Sequence, residues 1–85
     1  MSNHDKFLKR LMASQSDADI NFDDLCSLLA RLGFQVRTRG DHHIFIKDDI
    51  VEITNVQSAN AKAKPYQVRQ VRKLIRKYRL NEKNE

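Results

Sequence analysis

Residues 34–56 read FQVRTRGDHHIFIKDDIVEITNV and contain the signals that decide the fold of this 85-residue chain. Three β-prone runs lie within the stretch, at residues 34–38, 42–47 and 50–56. The first run alternates apolar and polar side chains with a period of two, as a strand with one buried face does. Gly40-Asp41 and Asp48-Asp49 suit tight turns between the runs. Because both connections are short, the sequence predicts a three-stranded antiparallel sheet.

An amphipathic helix is predicted on each side of these strands. Asn21 can cap the first helix, and Gly33 provides its left-handed stop. The apolar stripe of this helix consists of Phe22, Leu25, Cys26, Leu28, Leu29 and Leu32. Pro65 suits the first position of the closing helix, and residues 57–63 before it are predicted as a loop. The fold class is therefore α+β in the order α-β-β-β-α, with both helices covering one face of the sheet.

The N-terminal region has a helical pattern of its own, formed by Phe7, Leu8, Leu11 and Met12. This spacing predicts a short amphipathic helix over residues 4–13. The polar residues 14–17 favour a linker, so the helix is expected to be an appendage. The predicted organisation is an N-terminal helical extension and linker at 1–19, a main domain at 20–80 and a polar tail at 81–85.

Composition narrows the classes of protein to consider. No apolar run approaches the roughly 18 residues that a membrane span needs, and the polar N-terminus does not resemble a signal peptide, so a cytoplasmic protein is expected. The single cysteine, Cys26, lies among leucines and is interpreted as a structural thiol. Between residues 53 and 81 there are eight basic residues and no acidic one. A basic surface on one element predicts a polyanionic partner.

Two adjacent histidines stand at the start of the second strand. Alternation puts His42 on the face of Ile44 and Ile46 and His43 on the opposite one, but the pattern leaves open which face is the core. One interpretation is that neither histidine has a chemical role. A metal site is disfavoured because the third histidine, His4, is distant in sequence, so no cofactor is expected. The other interpretation is acid–base chemistry near neutrality, where a carboxylate at Asp41 can favour the protonated ring.

The order of these motifs resembles the HicA-type toxins of HicA–HicB toxin–antitoxin systems. The resemblance covers roughly residues 20–80 and rests on three segments: Leu32-Gly33-Phe34, Gly40-Asp41-His42 followed by Ile44-Phe45, and Lys64-Pro65-Tyr66-Gln67-Val68. It implies a fold similar to double-stranded-RNA-binding domains. It also implies metal-independent cleavage of mRNA, inhibition of translation and growth, and neutralisation by a HicB-type antitoxin.

The resemblance also implies roles for residues near the turn. The histidine directly after Gly-x is the catalytic one in the family, which here is His42, with His43 and Asp41 as auxiliary residues. Asp41 stands where the family usually has Ser or Gly. A carboxylate at this position can repel the phosphate groups of RNA. The departure from the family pattern therefore bears on the expected activity and not on the expected fold.

The basic residues are candidates for holding the RNA backbone. Lys62 and Lys64, at the start of the closing helix, are the first candidates, since lysines there hold phosphates in RNA-binding domains of this fold. The further candidates are Arg69, Arg72, Lys73 and Arg76 on the closing helix and Arg37 and Arg39 beside the turn. An alternative function is a non-catalytic RNA-binding module with the same fold. A DNA-binding protein is a more distant alternative, because no helix-turn-helix pairing is evident.

Overall fold

The computed structural model describes residues 3–13 and 16–82. The elements are α1 (Asn3–Ala13), α2 (Phe22–Arg31), β1 (Gln35–Arg39), β2 (His42–Lys47), β3 (Ile50–Ala59), β4 (Lys62–Ala63) and α3 (Pro65–Lys77). The strands form one antiparallel sheet in the order β1-β2-β3-β4. The predicted α+β class is confirmed, with a helix on each side of an antiparallel sheet as in the double-stranded-RNA-binding fold, and a short fourth strand is added to the predicted order. Parts of the predicted linker and tail, residues 14–15 and 83–85, lie outside the described residues.

The sheet has four strands, and the prediction of three was wrong. Residues 57–63 were expected to be a loop, whereas β3 continues to Ala59 and β4 pairs with its last two residues. The connecting turn consists of Asn60 and Ala61, with φ values of 55° and 67°. A two-residue hairpin turn of this kind needs positive φ at both positions, which alanine rarely adopts. The residue types therefore do not indicate the turn.

The core lies between one face of the sheet and the helices. On β3, Ile50, Thr54 and Val56 are buried, whereas Val51 and Ile53 between them are 86% and 66% exposed. The buried face meets Phe45 of β2 and the apolar sides of α2 and α3, which contribute Leu25, Leu28, Leu29, Val68, Val71 and Ile75. The alternation confirms the prediction that both helices cover one face. The other face of the sheet is referred to below as the open face.

Helix α1 packs into the same core, contrary to the expectation that it would be an appendage. Phe7 is 7% exposed and Leu11 is 1% exposed. The guanidinium of Arg72 on α3 reaches this region, donating from Nε to the carbonyl of Leu11 at 2.9 Å and from Nη2 to the carbonyl of Ser16 at 3.2 Å. Arg72 also forms an ion pair with Asp17. These contacts hold α1 and the segment after it against α3.

Candidate catalytic site on the open face of the sheet

The turn between β1 and β2 places His42 at the start of β2. Arg39 and His42 are paired across the hairpin, so the turn itself contains only Gly40 and Asp41. Gly40 has φ of +55°, and a glycine at the first central position is what a two-residue hairpin turn favours. A Cβ at Gly40 would meet no atom within 4 Å, so the constraint there is the backbone conformation and not space. Asp41 lies exposed in the turn, directly before His42.

The two histidines lie on opposite faces of the sheet. His43 is on the core side with Phe45, and its ring packs edge-on against Phe22 with the centroids 4.9 Å apart. Its Nδ1 atom is buried and has no hydrogen-bond partner among the residues that the structure describes. His42 is exposed on the open face. The structure thus resolves which face is the core, and it keeps His43 away from the surface that His42 occupies.

A row of four polar residues crosses the open face at His42. The strand register pairs His42 with Arg39 on one side and with Gln57 on the other. Lys64 follows in the same row, because its backbone N–H donates to the carbonyl of Gln57 at 3.3 Å. Neighbouring strands lie about 4.8 Å apart, so the backbones of His42 and Lys64 are separated by about 10 Å. A cationic side chain therefore stands at each end of the row.

The imidazole of His42 has hydrogen-bonding neighbours at both ring nitrogens. Its Nδ1 lies 3.3 Å from Oδ1 and 3.2 Å from Nδ2 of Asn55. Its Nε2 lies 3.3 Å from Nε2 of Gln57. Sequence reasoning missed Asn55 and Gln57. The period-two alternation of β3, continued past Val56, is the signal that places both side chains on the face of His42.

Four basic side chains lie at the ends of this row or next to it, and none of them forms an ion pair among the described residues. Arg37 is paired with Ile44 in the row next to His42, and Lys62 on β4 is paired with Ala59 on β3. Arg39 and Lys64 are the ends of the His42 row. Because none of these four side chains lies within ion-pair distance of a carboxylate in the described chain, they give the open face a positive rim.

The basic residues of α3 mostly serve other contacts. Arg69 donates from Nε to Asp17 at 2.9 Å, and Arg72, which is 6% exposed, pairs with the same carboxylate. Hydrogen bonds first from Arg72 and then from Arg69 lower the pKa of Asp17 below its ordinary value. Arg76 donates to the carbonyl of Met12 at 3.4 Å. These three predicted RNA contacts therefore face α1 and the segment after it.

The remaining cations of α3 lie beside a groove between α3 and β3. Lys73 lines this groove together with Ile53 and Leu74. Lys77 forms an ion pair with Glu52 at 2.6 Å, and Tyr78 donates its hydroxyl to the same carboxylate at 2.7 Å. These two contacts, the lysine first, lower the pKa of Glu52 to about 2. The structure thus separates Lys73 from the row that contains His42.

The single cysteine and the potential metal ligands are the other reactive groups to consider. Cys26 is half-buried, and mainly this burial raises the pKa of its thiol to about 11, so the thiol is protonated at neutral pH. A protonated thiol is a poor nucleophile, which agrees with the structural role predicted for Cys26. Across residues 3–13 and 16–82, no three His, Cys, Asp or Glu side chains come together as potential metal ligands.

Comparison with known protein families gives a match over most of the chain. The family model described as the HicA toxin of bacterial toxin–antitoxin systems matches residues 22–77, which run from the first residue of α2 to the last residue of α3. Neither the curated proteins nor the solved structures contain a significant match. None of the described helices is long and apolar enough to cross a membrane.

Proposed function

The chain belongs to the HicA toxin family, and from that premise we propose that it is an endoribonuclease that cleaves mRNA without a metal ion and so inhibits translation and growth. As a toxin of a toxin–antitoxin system it has an antitoxin partner, which we propose to be of the HicB type. The proposed place of action is the cytoplasm, where mRNA is translated. His42 is the proposed catalytic residue.

The observation that supports this proposal most strongly is the position of His42. Its ring is exposed on the open face, between the cations Arg39 and Lys64 of the same cross-strand row. A histidine can accept or donate a proton near neutral pH, so His42 can take the proton of an RNA 2′-hydroxyl or protonate the leaving oxygen. The 2′-oxygen then attacks the adjacent phosphorus, and the phosphodiester bond to the next nucleotide breaks. Nearby cations stabilise the negative charge that develops on the phosphoryl oxygens.

The proposed RNA contacts are Arg37, Arg39, Lys62 and Lys64, which surround His42 on the open face. Arg69, Arg72 and Arg76 are left out because their guanidinium groups already bind Asp17 or backbone carbonyls near α1. Lys73 is left out because it lines the groove between α3 and β3, whose lining contains none of the four residues of the His42 row. Asp41 is retained as an auxiliary residue in the turn directly before His42, whereas His43 supports the site from the core.

The proposed antitoxin covers the open face. A free ribonuclease of this kind would damage its own cell, so the inhibitor has to block access to His42. An acidic surface complements the positive rim and accelerates association. The open face also carries the exposed side chains of Val51 and Ile53, on the same strand face as Asn55 and Gln57. Apolar contacts at these two residues give the antitoxin affinity that salt does not screen.

The replacement His42→Ala tests the proposed activity. The variant should fold, because the lost hydrogen bonds are on the surface, and its RNA cleavage should fall by about 10²–10⁴-fold, the usual contribution of a general acid or base. RNA binding should remain, and the wild type should keep cleaving in excess EDTA. His4→Ala provides a matched control for a histidine outside the site.

Three results would contradict the proposal. Full-rate cleavage by folded His42→Ala would remove His42 from the chemistry. Wild-type protein that binds RNA and does not cut it would favour the non-catalytic RNA-binding module. Strict dependence of cleavage on magnesium would refute the metal-independent mechanism.

A further inference from the structure

A buried glutamine at the start of α3 contacts the strand beside His42. Gln67 is 2% exposed. The backbone N–H of Gln57 donates to Oε1 of Gln67 at 2.6 Å. A backbone N–H can only donate, and of the two carboxamide ends only the oxygen can accept. The amide of Gln67 is therefore held in one orientation, with its nitrogen directed elsewhere.

The orientation of Gln67 determines the orientation of Gln57. Nε2 of Gln67 lies 3.1 Å from Oε1 of Gln57 and 3.3 Å from the hydroxyl of Tyr66. Since Nε2 is a donor, the group it meets on Gln57 has to be the carbonyl oxygen. The amide nitrogen of Gln57 then faces His42, and it lies 3.3 Å from Nε2 of the imidazole.

The orientation of Gln57 determines which nitrogen of His42 carries the proton. The amide nitrogen of Gln57 offers only hydrogens, so Nε2 of His42 has to offer its lone pair. The proton of the neutral ring is then on Nδ1. Both ends of the Asn55 amide lie near this nitrogen, Oδ1 at 3.3 Å and Nδ2 at 3.2 Å, and the Nδ1–H requires the amide to turn its oxygen towards the ring and accept. The opposite tautomer would place two N–H groups against each other at Nε2. Which nitrogen is protonated is set by the partner of the other nitrogen, as in other histidine sites.

We propose that Gln67 and Gln57 are positioning residues that hold His42 as the neutral Nδ1–H tautomer, with the lone pair of Nε2 on the open face. This inference rests on the proposed function, in which His42 is the catalytic residue. It assigns Nε2 as the atom that accepts the proton of the RNA 2′-hydroxyl, which replaces the amide N–H of Gln57 at the lone pair of Nε2. The imidazolium formed in that step carries hydrogens on both nitrogens, so it cannot accept the hydrogen bond from Gln57 again. The network thereby favours return of the proton to the leaving oxygen.

Two-bond ¹H–¹⁵N correlation spectra of the full chain test the tautomer directly, because they distinguish a ring nitrogen that bears a proton from one that bears a lone pair. In the wild type, with His42 neutral, Nε2 should have the lone pair. Gln57→Glu replaces the donor with a carboxylate that accepts, so the proton should move to Nε2. Gln67→Met removes the group that orients Gln57, so the two tautomers should become mixed. Gln70→Met, an exposed glutamine on the same helix, should leave the spectrum unchanged.

Cleavage kinetics test the link to catalysis. Gln67→Met should lower kcat by about 10-fold or more, a part of the 10²–10⁴-fold contribution of the base, with KM for RNA unchanged because Gln67 is buried. A protonated Nε2 in the wild type, or the same tautomer in Gln57→Glu, would overturn the network. An unchanged kcat in a variant whose tautomer has shifted would overturn the positioning role. If Gln67→Met does not fold, Gln57→Glu still decides the question. The tautomer is read without cleavage, so failure of the proposed activity is distinguishable from failure of this inference.

Discussion

The packing of α1 leads to a prediction about stability that the sequence alone would not support. Leu11 is 1% exposed and lies in the common core with α2 and α3. Truncation of a fully buried leucine to alanine costs about 2.7–5 kcal/mol, from lost burial and from the cavity that remains. We therefore expect Leu11→Ala to lower the free energy of unfolding by about 3 kcal/mol. For a domain of this size, each kcal/mol corresponds to about 4–8 °C, so the melting temperature should fall by about 12–24 °C.

Urea denaturation followed by circular dichroism measures this effect. The midpoint should decrease while the dependence on denaturant stays the same, which indicates a change of stability and not of the unfolded state. Leu8→Ala is the matched control, since Leu8 is on the same helix and only partly buried, and it should cost clearly less. Equal, small losses below about 1 kcal/mol in both variants would refute the packing argument. In that case residues 1–19 would be an extension, as the sequence pattern predicts.

Three further predictions concern RNA binding, acid stability and the antitoxin. Replacing Lys62 and Lys64 with alanine should weaken binding to all RNA sequences, and the log–log salt dependence on single strands should become shallower by about 0.7 per lost contact; an unchanged slope would place the RNA elsewhere. Because Lys77 helps to lower the pKa of Glu52 from 4.5 to about 2, the stability from this group is complete above pH 4.5 and is lost as the pH falls towards 2. Urea titrations at several pH values should show a weaker acid loss in Glu52→Gln, and an equally steep loss would contradict the assignment. Ile53→Glu should weaken antitoxin binding in calorimetry and leave cleavage by the free toxin intact; unchanged affinity would exclude the open face as the antitoxin site.

The local parts of this fold were predictable because their signals are local. The conformational preferences of one or two residues are enough to predict each of three features: the Gly40-Asp41 turn, the bounds of β2 and the start of α3 at Pro65. The β3–β4 hairpin was not predictable in this way, because Ala61 adopts a φ of 67° that its side chain disfavours. The turn is held from outside, since the carbonyl of Ala61 accepts the N–H of Phe22 at 3.0 Å. Such a tertiary contact leaves no trace in the local pattern.

The candidate site was predictable in its central residue and less so in its surroundings. Helical periodicity places Arg72 among the basic positions of α3, but it cannot distinguish an exposed arginine from one that is buried against Asp17 and the carbonyl of Leu11. The neighbours of His42 depend on the strand register, which pairs it with Gln57 across 15 positions of sequence. A one-residue change of register would move every side chain of β3 to the opposite face. The alternation alone therefore predicts the composition of a face but not which residues meet on it.

The adjacent histidines have different uses because a strand directs neighbouring side chains to opposite faces. The ring of His43 packs against Phe22 at the start of α2, so the beginning of β2 is fixed to the core at that residue. His42 precedes it by one position and shares a peptide bond with it, which limits the directions that its side chain can take. Hydrogen bonds to Asn55 and Gln57 then limit the rotation of its ring. A general acid or base needs both an exposed ring and a defined direction. At the end of a hairpin, where strands otherwise fray, the packing of His43 against the core therefore fixes the direction of the exposed His42 side chain, as acid–base chemistry requires.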